Sequence, residues 1–106
     1  MKRHVTTAMV LCFVVILATP LFAADGDALY KANCNTCHGP TGAGDTPAGK
    51  MMKAKPLGSA EVQKLTDAEM TASITNGKNK MPKFGQKLSA DDIKALVAYV
   101  RTFAKK

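Results

Sequence analysis

The clearest hydrophobic pattern in the chain lies near its C-terminus. Ile93, Leu96, Val97 and Val100 recur at the spacing of one helix face, and they follow Ser89, a residue type that often caps helix N-termini. Tyr99 and Phe103 widen this apolar face, and Asp91 and Asp92 lie in the expected first turn. The pattern predicts an amphipathic C-terminal helix that begins after Ser89 and buries one face.

Two more helices are predicted earlier in the chain. The first begins at Asp25 or Gly26 and runs into Cys34. The second begins at residues 66–69, whose Thr-x-x-Glu pattern is a capping box, and ends at residues 76–77, where Asn-Gly is a typical helix stop. Both are short, so their stability has to come from packing rather than from propensity.

The segment 39–58 is rich in Gly and Pro and predicts a long loop. A long loop in a small domain is usually functional or wrapped around a ligand. Ser59 is expected to cap a brief turn after it. No alternation of apolar and polar residues typical of a strand occurs at any length, so we expect an all-α fold.

The first residues have the pattern of a secretory signal peptide. A basic stretch precedes the apolar run 8–18, and small residues follow that run. This layout predicts a signal peptide at 1–24, removed on export, and one domain at 25–106 located in the periplasm. An uncleaved membrane anchor over 5–24 is the alternative.

One short motif carries the chemistry, Cys34-Asn35-Thr36-Cys37-His38. This spacing is typical of c-type haem attachment, in which Cys34 and Cys37 form thioether bonds and His38 is the proximal axial ligand of the iron. Two cysteines so spaced also occur in zinc sites and in thioredoxin-like redox motifs. Residues 25–106 contain no other Cys or His to complete a zinc site.

The second axial ligand has to come from the methionines or lysines of the domain. Met51 and Met52 lie in the loop after the attachment motif, and Met70 falls on the apolar face of its helix, where packing is its expected role. Met81 precedes Pro82, which disfavours the helical conformation and suits a side chain presented from a loop. Met81 is therefore the expected distal ligand, and the alternative is that it only fills a gap in the core.

The charge balance bears on the partners. The chain has 15 Lys and Arg residues against 8 Asp and Glu, a formal net charge of +7, and two of the basic residues lie in the predicted signal. Lysines concentrate in the first loop and around Met81, at Lys50, Lys53, Lys55, Lys78, Lys80, Lys83 and Lys87. Such a group would steer redox partners that have acidic docking surfaces. Export and the lack of a nucleic-acid-binding motif argue against a nucleic-acid partner.

Over nearly all of residues 25–106 the sequence resembles the small class I c-type cytochromes. The attachment motif lies near the N-terminus, Met81-Pro82 comes late, and the amphipathic helix comes last. The resemblance implies a cytochrome c fold whose N- and C-terminal helices cross, while short middle helices and long loops wrap one covalent haem c. Gly26 and Tyr30 would then pack against Leu96 and Tyr99.

The resemblance also implies a hydrogen-bond partner for the proximal histidine. In this family a proline carbonyl of the first long loop accepts a hydrogen bond from Nδ1 of the imidazole and orients it. Pro56 is the expected match for that proline, and Pro47 and Pro40 of the same loop are alternatives.

A function follows from these ligands. With His38 and Met81 in both axial positions, the iron has no vacant site for oxygen or peroxide, so we expect no enzymatic activity. The expected protein is a soluble monomer that carries single electrons between periplasmic or membrane redox partners, and touches the membrane only through them unless the signal is uncleaved. The alternatives are a small electron-transfer subunit of a periplasmic dehydrogenase or oxidase, and a haem-based sensor with a labile Met81.

Overall fold

A computed structural model describes residues 25–105, so the predicted signal peptide at 1–24 lies outside the described residues. Helices dominate the described part, and the all-α prediction is confirmed; the strand-like feature found there is an isolated bridge between Lys78 and Met81. The helices are α1 (Gly26–Asn33), α2 (Asn35–His38), α3 (Pro47–Met51), α4 (Ala60–Gln63), α5 (Asp67–Asn76) and α6 (Ala90–Thr102), followed by a 3₁₀ turn at Phe103–Lys105.

The ends of the two longest helices follow the sequence signals. At the start of α5, the Thr66 hydroxyl accepts a hydrogen bond from the Glu69 N–H at 3.1 Å, and the Glu69 side chain accepts from the Thr66 N–H. Ser89 and Asp92 form the same reciprocal pair at the start of α6. These bonds satisfy N–H groups that have no partner within the helix. Both predicted helix starts are confirmed.

Helices α1 and α6 cross in close contact, as the resemblance implied. A Cβ placed on Gly26 would lie 2.5 Å from the Ala95 carbonyl oxygen and 3.1 Å from Cβ of Tyr99. Tyr30 and Leu96 are each 1% exposed, and the Tyr30 and Tyr99 rings lie 5.1 Å apart. The missing side chain at Gly26 therefore lets the two backbones approach.

The core lies between α1, α5 and α6. Met70 is 5% exposed, which confirms the packing role expected for it. Full burial of a side chain of this size stabilises the folded state by about 1.5–3 kcal/mol. The buried hydrophobic side chains are Tyr30, Met70, Ile74, Ile93, Leu96, Val97, Val100 and Phe103.

The segment 39–58 differs from the expectation of one uninterrupted loop, because α3 (Pro47–Met51) lies within it. The Thr46 hydroxyl accepts a hydrogen bond from the Gly49 N–H at 3.0 Å, and Pro47 occupies the first helical position. Proline is favoured there because its missing N–H would have had no partner. Ser59 caps α4, the brief turn that was predicted after the loop.

Candidate functional site

A cavity of about 280 Å³ brings the attachment motif and Met81 together. Cys34, Cys37 and His38 reach it from the end of α1 and from α2, and Met81 reaches it from the segment between α5 and α6. Small-molecule sites are typically concave and mostly apolar, with a few placed polar groups. The apolar side chains on the walls include Met52, Ala54, Leu57, Val62, Leu65, Met70, Ile74, Pro82, Phe84, Leu96 and Val100.

Helix α2, which carries the second cysteine and the histidine, is fixed by contacts from outside itself. The buried Tyr30 hydroxyl donates a hydrogen bond to the Gly39 carbonyl at 2.6 Å. The Thr46 hydroxyl lies within hydrogen-bond distance of the Thr36 and Cys37 carbonyls, at 2.7 and 3.0 Å. Carbonyls at the end of a helix have no partner within it, so both contacts stabilise the end of α2.

Cys34 and Cys37 are half-buried free thiols. Burial raises the pKa of the Cys34 thiol to about 11, so this thiol is protonated at neutral pH. Within residues 25–105 no three His, Cys, Asp or Glu side chains come together as a group that could hold a metal ion.

The His38 imidazole has one buried nitrogen without a partner. Nδ1 makes no hydrogen bond within the protein. Burial lowers the pKa of His38, and the backbone of Lys55 raises it to a smaller extent. The carbonyl is the backbone group that can accept a hydrogen bond, so the effect of Lys55 on the pKa of His38 is assigned to its carbonyl. A neutral imidazole is the form that binds a metal ion.

Pro56 lies one residue beyond that carbonyl. Its own carbonyl accepts a hydrogen bond from the Ser59 N–H at 3.1 Å, in the turn that leads into α4. The Lys55 backbone acts on the pKa of His38, and the role expected of the Pro56 carbonyl stays a prediction. Proline restricts the residue before it to extended conformations, so Pro56 acts on the conformation of Lys55.

The methionines of the domain occupy different environments. Met51 is 73% exposed and Met52 is 45% exposed. Met70 lines the cavity but is buried in the core face of α5, whereas Met81 is half-buried on the cavity and lies in a turn. Met52 also lines the cavity but is largely exposed. Of the two cavity methionines that are shielded from solvent, Met70 lies within α5 and Met81 lies at the end of a turn, where it packs against the core.

These residues fit a covalently attached haem. Cys34 and Cys37 lie on an apolar cavity with His38, whose neutral imidazole presents a partnerless Nδ1 next to a backbone carbonyl. A metal-bound histidine usually donates its other N–H to a carbonyl or carboxylate, and the Lys55 carbonyl is suited to that role. The cavity adds a thioether from Met81, which together with histidine is an axial ligand set of c-type cytochromes.

Several positioning contacts were missing from the sequence-based prediction. The Tyr30 hydroxyl and the Thr46 hydroxyl were not assigned a role, although Thr-Pro at residues 46–47 is a recognisable helix start. The contact of Tyr30 with Gly39 joins residues that are distant along the chain and has no local signal. The same is true of the approach of Lys55 to His38.

Comparison with known proteins agrees with this geometry. The family model for subunit III of cbb3-type cytochrome c oxidase matches residues 22–100. Cytochrome c6 of Gloeothece citriformis is 32% identical, with 100% of this chain and 98% of the relative covered. Cytochrome c6 of Picosynechococcus is 35% identical, with 94% of this chain and 92% of the relative covered.

Solved structures show the same relationship. The c-type cytochrome KustC0563 is 38% identical with a TM-score of 0.70, over 74% of this chain and 96% of that one. Cytochrome c6 from the diatom Phaeodactylum tricornutum is 29% identical with a TM-score of 0.57, over 76% of this chain and 91% of that one. The chain therefore belongs to the monohaem class I c-type cytochromes, as a cytochrome c6-like electron carrier rather than an enzyme, with one covalent haem c.

Proposed function

We propose that this protein is a soluble periplasmic electron carrier in which His38 and Met81 are the axial ligands of the haem iron. Cys34 and Cys37 would hold the haem through thioether bonds. The observation that carries the proposal is the shared cavity, on which all four side chains lie among apolar walls. The export pattern in residues 1–24 supports the periplasmic location.

When bound, the haem supplies the one-electron couple of its iron. His38 would provide a neutral imidazole, and the Lys55 carbonyl is suited to accept a hydrogen bond that orients the ring. Met81 provides a thioether, which favours the ferrous iron more than a second histidine does. The apolar walls exclude water and disfavour the additional positive charge of the ferric state.

The partner-docking surface is proposed to be the lysine surface, defined as Lys78, Lys80, Lys83 and Lys87 around Met81. All four side chains are exposed. Exposed like charges near a redox centre raise the encounter rate with oppositely charged partners, and salt screens that effect. Lys55 differs from these residues because it is paired with Glu61 at 2.5 Å.

Replacement of Met81 tests the ligand assignment. Met81→Ala is expected to open the sixth coordination position, remove the red-end charge-transfer band of the ferric protein that reports sulfur ligation, and lower the midpoint potential. Met70→Ala is the matched control, because it removes another methionine from the cavity wall. It should cost about 2–5 kcal/mol of unfolding free energy through a cavity and leave the band in place.

The spectrum of Met81→Ala, together with carbon monoxide binding to the wild-type protein, distinguishes a carrier from a sensor. An unchanged spectrum in Met81→Ala would remove Met81 from the iron. Ready binding of carbon monoxide to the reduced wild-type protein would show an open or labile sixth position, and would favour a haem-based sensor over a carrier.

A second candidate function is that of a permanent electron-transfer subunit. It is favoured by the family model, whose description is that of an oxidase subunit and which matches residues 22–100. The molecular mass of the protein in native extract, measured by size exclusion, distinguishes the two. A free carrier elutes at the mass of one small domain, and a subunit elutes with its complex.

A further inference from the structure

The backbone around Met81 is held by a tight turn. The Met81 N–H donates to the Lys78 carbonyl at 2.9 Å, and the Lys78 N–H donates to the Met81 carbonyl at 3.3 Å. Asn79, within the turn, has a φ of +55°, a conformation that asparagine tolerates better than most residues. The two ends of the turn are thus locked to each other through both backbone groups of Met81.

Gly77 precedes this turn and is in contact with it. Its φ of 74° and ψ of 166° lie in a region that is essentially restricted to glycine. A Cβ at this position would lie 2.7 Å from the Met81 carbonyl oxygen, 3.2 Å from the Lys83 nitrogen and 3.3 Å from the Pro82 carbonyl carbon. Any side chain here would therefore displace the backbone of residues 81–83.

The segment that follows Met81 in the chain is hydrogen-bonded to the end of α5. The Phe84 N–H donates to the Ile74 carbonyl at 2.9 Å, and the Gly85 N–H donates to the Thr75 carbonyl at 3.0 Å. Both acceptors are carbonyls of the last turn of α5, which have no partner within the helix. Met81 consequently lies in a short segment whose two ends are attached to the same helix end.

We propose that residues 77–81, here called the Gly77 turn, are a positioning element that fixes the Met81 backbone and thereby determines how tightly the thioether binds the iron. The proposal rests on Met81 being the distal ligand, as proposed above. Because Gly77 has no Cβ, the Met81 carbonyl can lie against its backbone, and the Met81 backbone keeps its position. Gly77 is a positioning residue, since it acts on the iron only through Met81.

Gly77→Ala tests the proposal in the purified haem protein. The Cβ contact and the unfavourable backbone conformation are expected to shift Met81, so that exogenous imidazole binds the ferric protein roughly tenfold more tightly or more. The sulfur charge-transfer band should weaken, and the midpoint potential should fall. Gly42→Ala is the matched control, with a φ of 73° and a Cβ 3.1 Å from the Phe103 ring. It should lower the thermal stability and leave imidazole affinity unchanged.

A second pair of variants tests the same element at an exposed position. Asn79→Val places a β-branched residue at positive φ and should raise imidazole affinity in the same direction as Gly77→Ala, whereas Asn79→Gly should keep the wild-type affinity. Wild-type imidazole affinity and band intensity in both Gly77→Ala and Asn79→Val would overturn the proposal. Failure of the ligand assignment is recognised separately, because Met81→Ala would then bind imidazole like the wild type.

Discussion

Tyr30 joins the helix crossing to the haem-binding motif. Its ring packs against Tyr99 and Phe103, with ring centroids 5.1 and 5.3 Å away. Its hydroxyl donates to the carbonyl of Gly39, the residue after His38, at 2.6 Å. Burial raises the pKa of Tyr30, so the hydroxyl remains a donor over the whole accessible pH range. One side chain therefore contributes both to the core and to the end of the attachment motif.

Tyr30→Phe keeps the ring and removes this hydrogen bond. The buried Gly39 carbonyl then keeps only the Gly42 N–H, which donates to it at 3.1 Å, and we expect a loss of about 0.5–1.5 kcal/mol in the free energy of unfolding, measured by chemical denaturation of the haem protein. Tyr99→Phe is the control, because Tyr99 is only half-buried, and it should cost less than about 0.5 kcal/mol. Equal losses in the two variants would mean that the Gly39 contact contributes nothing specific.

Helices α1 and α6 form the frame on which the site is built. α1 leads directly into Cys34, and α6 contributes Leu96 and Val100 to the cavity wall. The two helices lie close together at Gly26, where a Cβ would be 2.5 Å from the Ala95 carbonyl oxygen. Arg101, near the end of α6, donates to the Gln63 and Leu65 carbonyls and pairs with Asp67. This side chain fixes α6 to the segment between α4 and α5.

Gly26→Ala tests the helix crossing. The added methyl has to push the helices apart, so the variant is expected to lose about 1–3 kcal/mol of unfolding free energy, measured by denaturant titration. Ala28→Ser, at an exposed position of the same helix, should change it by less than about 0.5 kcal/mol. A Gly26→Ala protein as stable as the wild type would contradict the close packing of α1 on α6.

At the scale of the whole molecule, the main feature is an excess of positive charge. The chain carries a formal net charge of +7, and the lysine surface is exposed around the segment that holds Met81. In the part of the chain that the structure describes, no helix is long and apolar enough to cross a membrane. Partner recognition is proposed to depend on this charged face, because electrostatic steering acts mainly on encounter rates.

Charge reversal at two sites tests this surface against a control pair with the same change in net charge. Lys80→Glu with Lys83→Glu should slow electron exchange with an acidic redox partner at low ionic strength by roughly tenfold or more, and should flatten the dependence of the rate on salt. Lys64→Glu with Lys94→Glu changes the net charge equally at exposed residues away from the cavity walls. Equal slowing by both pairs would show that only the total charge matters. Stopped-flow mixing measures these rates.

Local signals in the sequence were sufficient for the features that depend on neighbouring residues. The attachment motif, the capping boxes at Thr66 and Ser89 and the stop at Gly77 are each encoded within a few residues. The cytochrome c fold and the crossing of α1 on α6 followed from the resemblance and are confirmed. Helix α3 was missed because the Gly and Pro content of its surroundings outweighed the Thr46-Pro47 start signal.

Contacts between distant segments could not be derived in the same way. Which backbone carbonyl accepts a hydrogen bond from His38 depends on the path of the whole first loop, and the expected role of Pro56 stays a prediction. The contact of Gly77 with the Met81 backbone is local, but it depends on backbone angles that residue types alone do not specify. Assignment of the four ligand and attachment residues remains a prediction supported by their common cavity.

The proposed function requires that His38 and Met81 bind a single haem iron, and that this iron changes only its charge. An optically monitored redox titration of the native protein tests it most directly, because one experiment reports both ligation and potential. We expect one reversible one-electron transition, with the sulfur charge-transfer band present in the ferric protein and lost on reduction. Absence of that band in the ferric protein, or more than one transition, would contradict it.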